Sequence, residues 1–184
     1  MIVGVDEAGR GPLAGPVVAA AVILCEGGIA GVNDSKALTA KRREALYEDI
    51  RARCMVGIGI ASVDEIDEIN ILWATMLAMT RAVEALGVEP AEVLVDGNRC
   101  PRWNYRSRAI VGGDALEPCI SAASIIAKVT RDRMMIEADG QYPGYGWASN
   151  KGYGAPVHIE ALHRLGPTPL HRKSFSPVSQ MLLL

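Results

Sequence analysis

The sequence predicts an α/β fold on three observations. Five short runs rich in Val, Ile and Ala, at residues 2–6, 17–24, 55–61, 93–96 and 108–111, have the length and composition of strands. The longer segments among them carry apolar residues at helical spacing, and strands interleaved with helices make a sheet covered by helices. Three of the runs end on or near a carboxylate with glycine beside it: Asp6-Glu7, Asp96-Gly97 and Gly113-Asp114. Ligands of open α/β sheets bind at strand ends.

The elements follow in order. Residues 2–6 and 17–24 are joined by a short Gly/Pro-rich link, which suits antiparallel neighbours. Asn33-Asp34-Ser35-Lys36 is a polar turn. Thr39 is positioned to N-cap a helix over 40–53, with Leu46, Tyr47 and Ile50 as its apolar stripe. After the strand at 55–61, the acids Asp64, Glu65, Asp67 and Glu68 read as a solvated helix start. They lack the spaced oxygen ligands and central glycine of an EF-hand. Asn70 begins a long helix whose stripe of Ile71, Leu72, Met76, Met79, Val83 and Leu86 is core, and Gly87 and Pro90 end it. A helix over 118–138 carries Ser121, Ser124, Lys128 and Asp132 as one polar stripe. Residues 142–154 are aromatic and glycine-rich, and a last helix is expected near 156–165.

Size and composition bound the function. The chain has 184 residues, 49% of them hydrophobic, enough for one sizeable core and against disorder. One domain over 1–184 is expected. The longest apolar run, Val17 to Leu24, is far too short to span a bilayer, and the chain opens on a strand rather than a signal-like segment. The expectation is a cytoplasmic protein with no membrane partner. Cys25, Cys54, Cys100 and Cys119 are scattered, with no C-x-x-C zinc spacing, and disulfides are not expected in a reducing compartment. The net charge of −2 hides an asymmetry. Residues 1–98 carry 8 Lys/Arg against 15 Asp/Glu, and residues 99–184 carry 11 against 6. Such a balance is ordinary on a soluble surface, and it also suits a basic half that holds a polyanion beside an acidic cluster that holds a cation.

The acids carry the chemistry. Asp114, shortly before Pro118, reads by itself as no more than a cap for the next helix. Four carboxylates at three strand ends of one small chain ask for a common cause. Gathered in one place they would repel each other and resist ionisation. A divalent cation removes that conflict, and oxygen donors without His or Cys favour magnesium or manganese over zinc. Carboxylate-held metal, glycine turns and a basic half point to phosphate chemistry. Two ions about 4 Å apart can activate a water and stabilise the leaving oxygen of a phosphodiester.

The opening stretch Asp6-Glu7-Ala8-Gly9-Arg10-Gly11-Pro12-Leu13-Ala14-Gly15-Pro16 closely resembles the N-terminal signature of ribonuclease HII, the bacterial type 2 ribonuclease H. The resemblance continues through Asn33-Asp34-Ser35-Lys36, Val95-Asp96-Gly97-Asn98, Gly113-Asp114, residues 120–132, and Asn150-Lys151-Gly152-Tyr153-Gly154 with His158. It covers nearly the whole chain in the right order. It implies an RNase H-like fold: a central mixed five-stranded sheet flanked by helices, with a helical C-terminal part. Residues from roughly 140 to 184 would form a substrate-binding extension. It also implies endonucleolytic cleavage of RNA in RNA–DNA hybrids, and cleavage 5′ of a ribonucleotide embedded in duplex DNA. The ends left would be a 3′-hydroxyl and a 5′-phosphate. The family's acids fall on Asp6, Glu7, Asp96 and Asp114, which would hold two Mg²⁺ or Mn²⁺ ions during catalysis. Its junction-reading motif falls on Gly9, Arg10, Gly11 and Tyr153. Lys36, Lys128 and Lys151 are candidate phosphate contacts, and Ser121, Ser124 and Asn150 complete the expected substrate surface. The C-terminal cations, including His171 and Arg172, have the duplex as their expected partner, and a monomer is expected.

Three positions depart from the family: Gly112 and Ala37 replace lysines, and Ala155 replaces a small hydroxyl residue. The sister type, ribonuclease HIII, normally carries an extra N-terminal domain, so type HII is the expectation. Two rivals are weaker. A phosphotransferase of the same architecture should show an ATP-site signature such as Gly-x-x-x-x-Gly-Lys-Ser/Thr, and the sequence has none. A non-catalytic nucleic-acid-binding module has no use for four acids beside a phosphate. Metal-dependent nicking separates it from the enzyme.

Overall fold

The structure, a computed structural model, describes residues 1–32 and 38–182. The expected turn at Asn33–Lys36, the candidate contact Lys36 and the departure at Ala37 lie outside the described residues. The strands are β1 (Ile2–Ala8), β2 (Val17–Ile23), β3 (Met55–Ala61), β4 (Glu92–Asp96) and β5 (Ser107–Ile110). They form one mixed sheet in the order β3-β2-β1-β4-β5. β1 pairs antiparallel with β2 and parallel with β4, so the N-terminal strand lies at the sheet's centre.

β2 reads Val-Val-Ala-Ala-Ala-Val-Ile without alternation because both its faces are covered; every residue in it is buried. On one face, Val3, Val5, Val17, Ala19, Val93 and Val95 pack against helix α2 (Val63–Glu84) through Met76, Met79 and Val83. On the other, Ala20 and Val22 meet α1 (Ala40–Arg53) and α4 (Pro118–Gln141), through Leu46, Ile50, Ile125, Ile126 and Val129. Between β5 and α4 lies a single turn, α3 (Gly113–Leu116). Glycine sets the spacing where helix meets sheet. A Cβ on Gly59 would lie 2.0 Å from the Ala78 carbonyl oxygen, and one on Gly4 2.2 Å from the Cys119 carbonyl carbon.

Thr39 caps α1 as expected, its hydroxyl accepting from the Arg42 amide at 3.2 Å. α2 starts at the acids as expected and begins anew at Asn70. Helix already runs from Val63, because Ser62 and Glu65 form a capping box. Asn70 interrupts it at φ 67 and re-caps the second part, its Oδ1 accepting from the Leu72 and Trp73 amides. α4 runs on through Gly140 to Gln141, past the expected end at 138. The C-terminal part is helical and loop-rich, with α5 (Trp147–Asn150), α6 (Pro156–Leu165) and α7 (Val178–Met181). It gathers on Trp147, which is fully buried and stacks on Tyr145 at 5.1 Å. No described helix is long and apolar enough to cross a membrane.

Candidate active site

Adjacent strand residues point to opposite faces, so Asp6 and Glu7 can share a site only at a strand end. The expected strand stopped at Asp6, whereas β1 continues to Ala8, paired to β2 through Glu7↔Ala19 and Ala8↔Val18. It is the other neighbour that ends. The ladder to β4 closes at Val5↔Val95, one residue before Asp96. Beyond that point β1 has a partner on one side only, and the open side is where the acids meet. Asp96 charge raises the pKa of both Asp6 and Glu7. Asp114 arrives from α3, and its amide donates to Asp96 Oδ1 at 3.3 Å. The turn into α3 is made by Gly112 at φ 67, a conformation that a lysine adopts only with strain.

The electrostatics are those of an acid cluster short of positive charge. Burial is the main force raising the Asp6 carboxyl well above its ordinary value, with the Glu7 and Asp96 charges adding to it. The Glu7 amide, 2.7 Å from Asp6 Oδ1, and the Ser124 hydroxyl pull the other way. Burial also raises Glu7, against the lowering effect of Arg10, whose guanidinium lies 3.6 Å from Glu7 Oε1. Glu7 Oε2 is buried and has no hydrogen-bond partner among the described residues. Such an orphaned carboxylate oxygen fits a hard divalent cation. Among the described residues no three acid, imidazole or thiol side chains are gathered tightly enough to grip one ion together.

Two clefts flank Glu7 and Arg10. The larger, about 380 Å³, is lined by Gly9, Gly11, Asp114, Ser124, Lys128 and Tyr153 as well. The smaller, about 260 Å³, includes Asp96, Asn98, Arg99 and Thr75. Tyr153 is 47% exposed and faces the glycine turn; a Cβ on Gly11 would lie 3.5 Å from its ring. Lys128 reaches the cleft with its ammonium 2.8 Å from Asp132 Oδ1.

Three of the expected substrate contacts are placed elsewhere. Ser121 is buried, and its hydroxyl donates to the Val32 carbonyl. It shares a stripe with Ser124 in spacing but lies under the loop before α1. Asn150 ties its own loop together, donating to the Tyr145 carbonyl at 2.8 Å and accepting from the Gly152 amide at 2.9 Å. The Lys151 ammonium donates to the Ala148 carbonyl. His171 and Arg172, expected at the duplex, are fully buried. Arg43 was not anticipated and lines the larger cleft. Its signal was the run Lys41-Arg42-Arg43 in the first turn of α1, where the helix dipole disfavours cations.

Residues 3–178 match the family described as Ribonuclease HII. A protein named Ribonuclease HII from Sphingopyxis alaskensis is 73% identical over 184 residues, covering all of this chain and 93% of its own. Among solved structures, the ribonuclease H2 from Pyrococcus horikoshii OT3 aligns with a TM-score of 0.80 at 29% identity, over 98% of this chain and 96% of its own. RNase HII from Archaeoglobus fulgidus, solved in a PCNA:RNase HII complex, aligns with a TM-score of 0.82 at 28% identity and the same coverage. With its RNase H-like sheet and its strand-end acids, the chain belongs to the ribonuclease HII family and is a metal-dependent ribonuclease H.

Proposed function

We propose that the enzyme cuts RNA in RNA–DNA hybrids, and cuts duplex DNA on the 5′ side of an embedded ribonucleotide. The observation that carries this reading is the pair of clefts that meet at Glu7 and Arg10: Asp114, the Gly9–Arg10–Gly11 turn and Tyr153 line one, and Asp96 lines the other. The 2′-hydroxyl distinguishes RNA from DNA, and a glycine-flanked backbone can approach it closely. Tyr153 is exposed to stack on the neighbouring sugar. Lys128 and Arg43 offer charge to the phosphates on that side.

Asp6, Glu7, Asp96 and Asp114 would hold two Mg²⁺ or Mn²⁺ ions, which supply an activated water and charge neutralisation at the scissile phosphate. Arg10, already beside Glu7, balances part of the acid charge until substrate enters. Ser124 holds the Asp6 carboxylate in place. The products are a 3′-hydroxyl and a 5′-phosphate. The enzyme acts as a monomer in this reading. Residues 1–184 act as one catalytic unit, with about 140–184 as a substrate-binding extension, in the cytoplasm where its substrates arise.

The test is a duplex DNA with one ribonucleotide, incubated with Mn²⁺ or Mg²⁺. Cleavage 5′ to that residue is expected, with the matched all-DNA duplex intact. Asp96→Asn should lower turnover by two or more orders of magnitude while circular dichroism stays native. An active Asp96→Asn enzyme sinks the site, and equal cutting of all-DNA sinks the specificity.

A further inference from the structure

The turn that carries Gly9, Arg10 and Gly11 is held from beneath by two arginines distant in sequence. Arg172 is fully buried, and its planar fork spans three carbonyls: Nε donates to Gly15 at 2.9 Å, Nη1 to Arg10 at 2.9 Å and Nη2 to Gly9. Its own amide donates to the Leu13 carbonyl at 2.8 Å. Arg131, 1% exposed, does the same one step along, reaching Pro16 at 2.9 Å, Ala14 at 3.0 Å and the Lys151 carbonyl at 2.9 Å. That last bond ties the Tyr153 loop to the same frame. Gly9 sits at φ +98, and a Cβ there would lie 2.0 Å from Arg131 Nε.

Peptide geometry gives this frame a direction. In a trans peptide the C=O and the following N–H point opposite ways. The Gly9 and Arg10 carbonyls are turned down onto Arg172, so the Arg10 and Gly11 amides are turned away from it. Neither amide has a hydrogen-bond partner among the described residues, and both residues line the cleft. Two free donors are thereby fixed side by side, ready for an oxygen of the substrate.

We propose that Arg172, supported by Arg131, is a positioning residue for ribonucleotide recognition: it sets the two peptide planes whose amides read the 2′-hydroxyl. This rests on the proposed function, in which Gly9–Gly11 meets the ribose. Only arginine fits the task, because five donors in a rigid plane can reach three carbonyls at once, whereas an ammonium cannot span them. Burial and the Arg131 charge push Arg172 down to about 9, so it remains charged at neutral pH.

The experiment compares wild type and Arg172→Lys in three measurements: kcat/KM with Mn²⁺ on a single-ribonucleotide duplex, affinity for the matched all-DNA duplex, and hydrogen exchange of residues 9–16. Arg172→Lys should lower kcat/KM about tenfold or more, the loss of one well-placed hydrogen bond. All-DNA affinity should hold within about twofold, and exchange should quicken in 9–16 but not in β1 or β4. An unchanged kcat/KM, or a parallel loss of all-DNA affinity, overturns the proposal. Should Arg172→Lys fail to fold, Phe175→Leu removes the ring that lies 4.9 Å from the guanidinium and should give a smaller change in the same direction. A Phe175→Leu enzyme with wild-type specificity then overturns it. Wild type that does not distinguish the two duplexes defeats the proposed function instead.

Discussion

Acid should loosen the C-terminal part before it reaches the sheet, through His158 and His171. The hydrogen bonds fix both tautomers. His158 Nδ1 lies 2.8 Å from the Tyr153 carbonyl, so that nitrogen carries the proton and Nε2 is the acceptor. Nε2 receives the Trp147 indole N–H at 3.1 Å and His171 Nε2 at 3.0 Å. His171 must then donate from Nε2 and accept at Nδ1, where the Thr168 amide donates at 2.9 Å. Neither ring has room for a second proton without setting two donors face to face. Burial, then the His158 charge, pushes His171 down from 6.5 to about 4, and burial lowers His158 as well. The unfolded chain therefore binds more protons than the folded one between these values. Stability from His171 is complete above about pH 6.5 and is lost as pH falls toward 4. The loss is about 2 kcal/mol at pH 5 and about 3 kcal/mol at pH 4. Urea unfolding from pH 7.5 to 5 checks it, with His171→Gln as the reference. That variant should start less stable and fall less steeply, and a slope equal to wild type refutes the tautomer argument. Ribonuclease activity should fall over the same range, because the pair anchors the carbonyl of Tyr153.

Asp6→Asn should inactivate the enzyme yet stabilise the metal-free protein by about 1–2 kcal/mol at neutral pH, read by thermal unfolding in chelator. The raised Asp6 carboxyl makes that group's own contribution to metal-free stability most favourable below its ordinary value of 3.8 and less so as pH rises through the folded value. The variant's advantage should therefore vanish in acid. Gly59→Ala should destabilise by about 3 kcal/mol or more, since the new methyl meets the Ala78 carbonyl and helix α2 must lift from β3; urea midpoints test this. Arg43→Ala should weaken substrate binding several-fold and flatten its salt dependence by about one ion, measured as log Kd against log salt.

The parts of the site that could be read from sequence are those that local physics sets. A strand ending in a carboxylate and glycine is a short-range pattern, and Asp6, Asp96 and Asp114 carried it. Glu7 was legible only as a neighbour, because its access depends on where β4 stops, which no residue of β1 encodes. Ser121 shows the converse failure. Its spacing from Ser124 and Lys128 is helical, but the stripe turns under the loop at Val32, and the loop's path is a tertiary fact. The short helices α3 and α5, with four residues each, are too brief for periodicity to reveal.

The buried arginines are the part of the site least visible in the sequence. In sequence, Arg172 reads as part of a basic segment facing the duplex, nothing singles out Arg131, and a basic C-terminal half suggests a surface for a polyanion. Both are instead interior, each surrounded by carbonyl oxygens that a left-handed, glycine-rich turn cannot satisfy among its own amides. The two facts have one cause. A loop that turns its N–H groups outward must turn its C=O groups inward, and buried carbonyls need donors. Arginine supplies up to five per side chain, so an exposed amide surface at one end of the chain calls for buried guanidinium groups from the other. The charge asymmetry between the halves is thus partly structural: some of the positive charge of residues 99–184 is spent holding the first sixteen residues rather than facing nucleic acid.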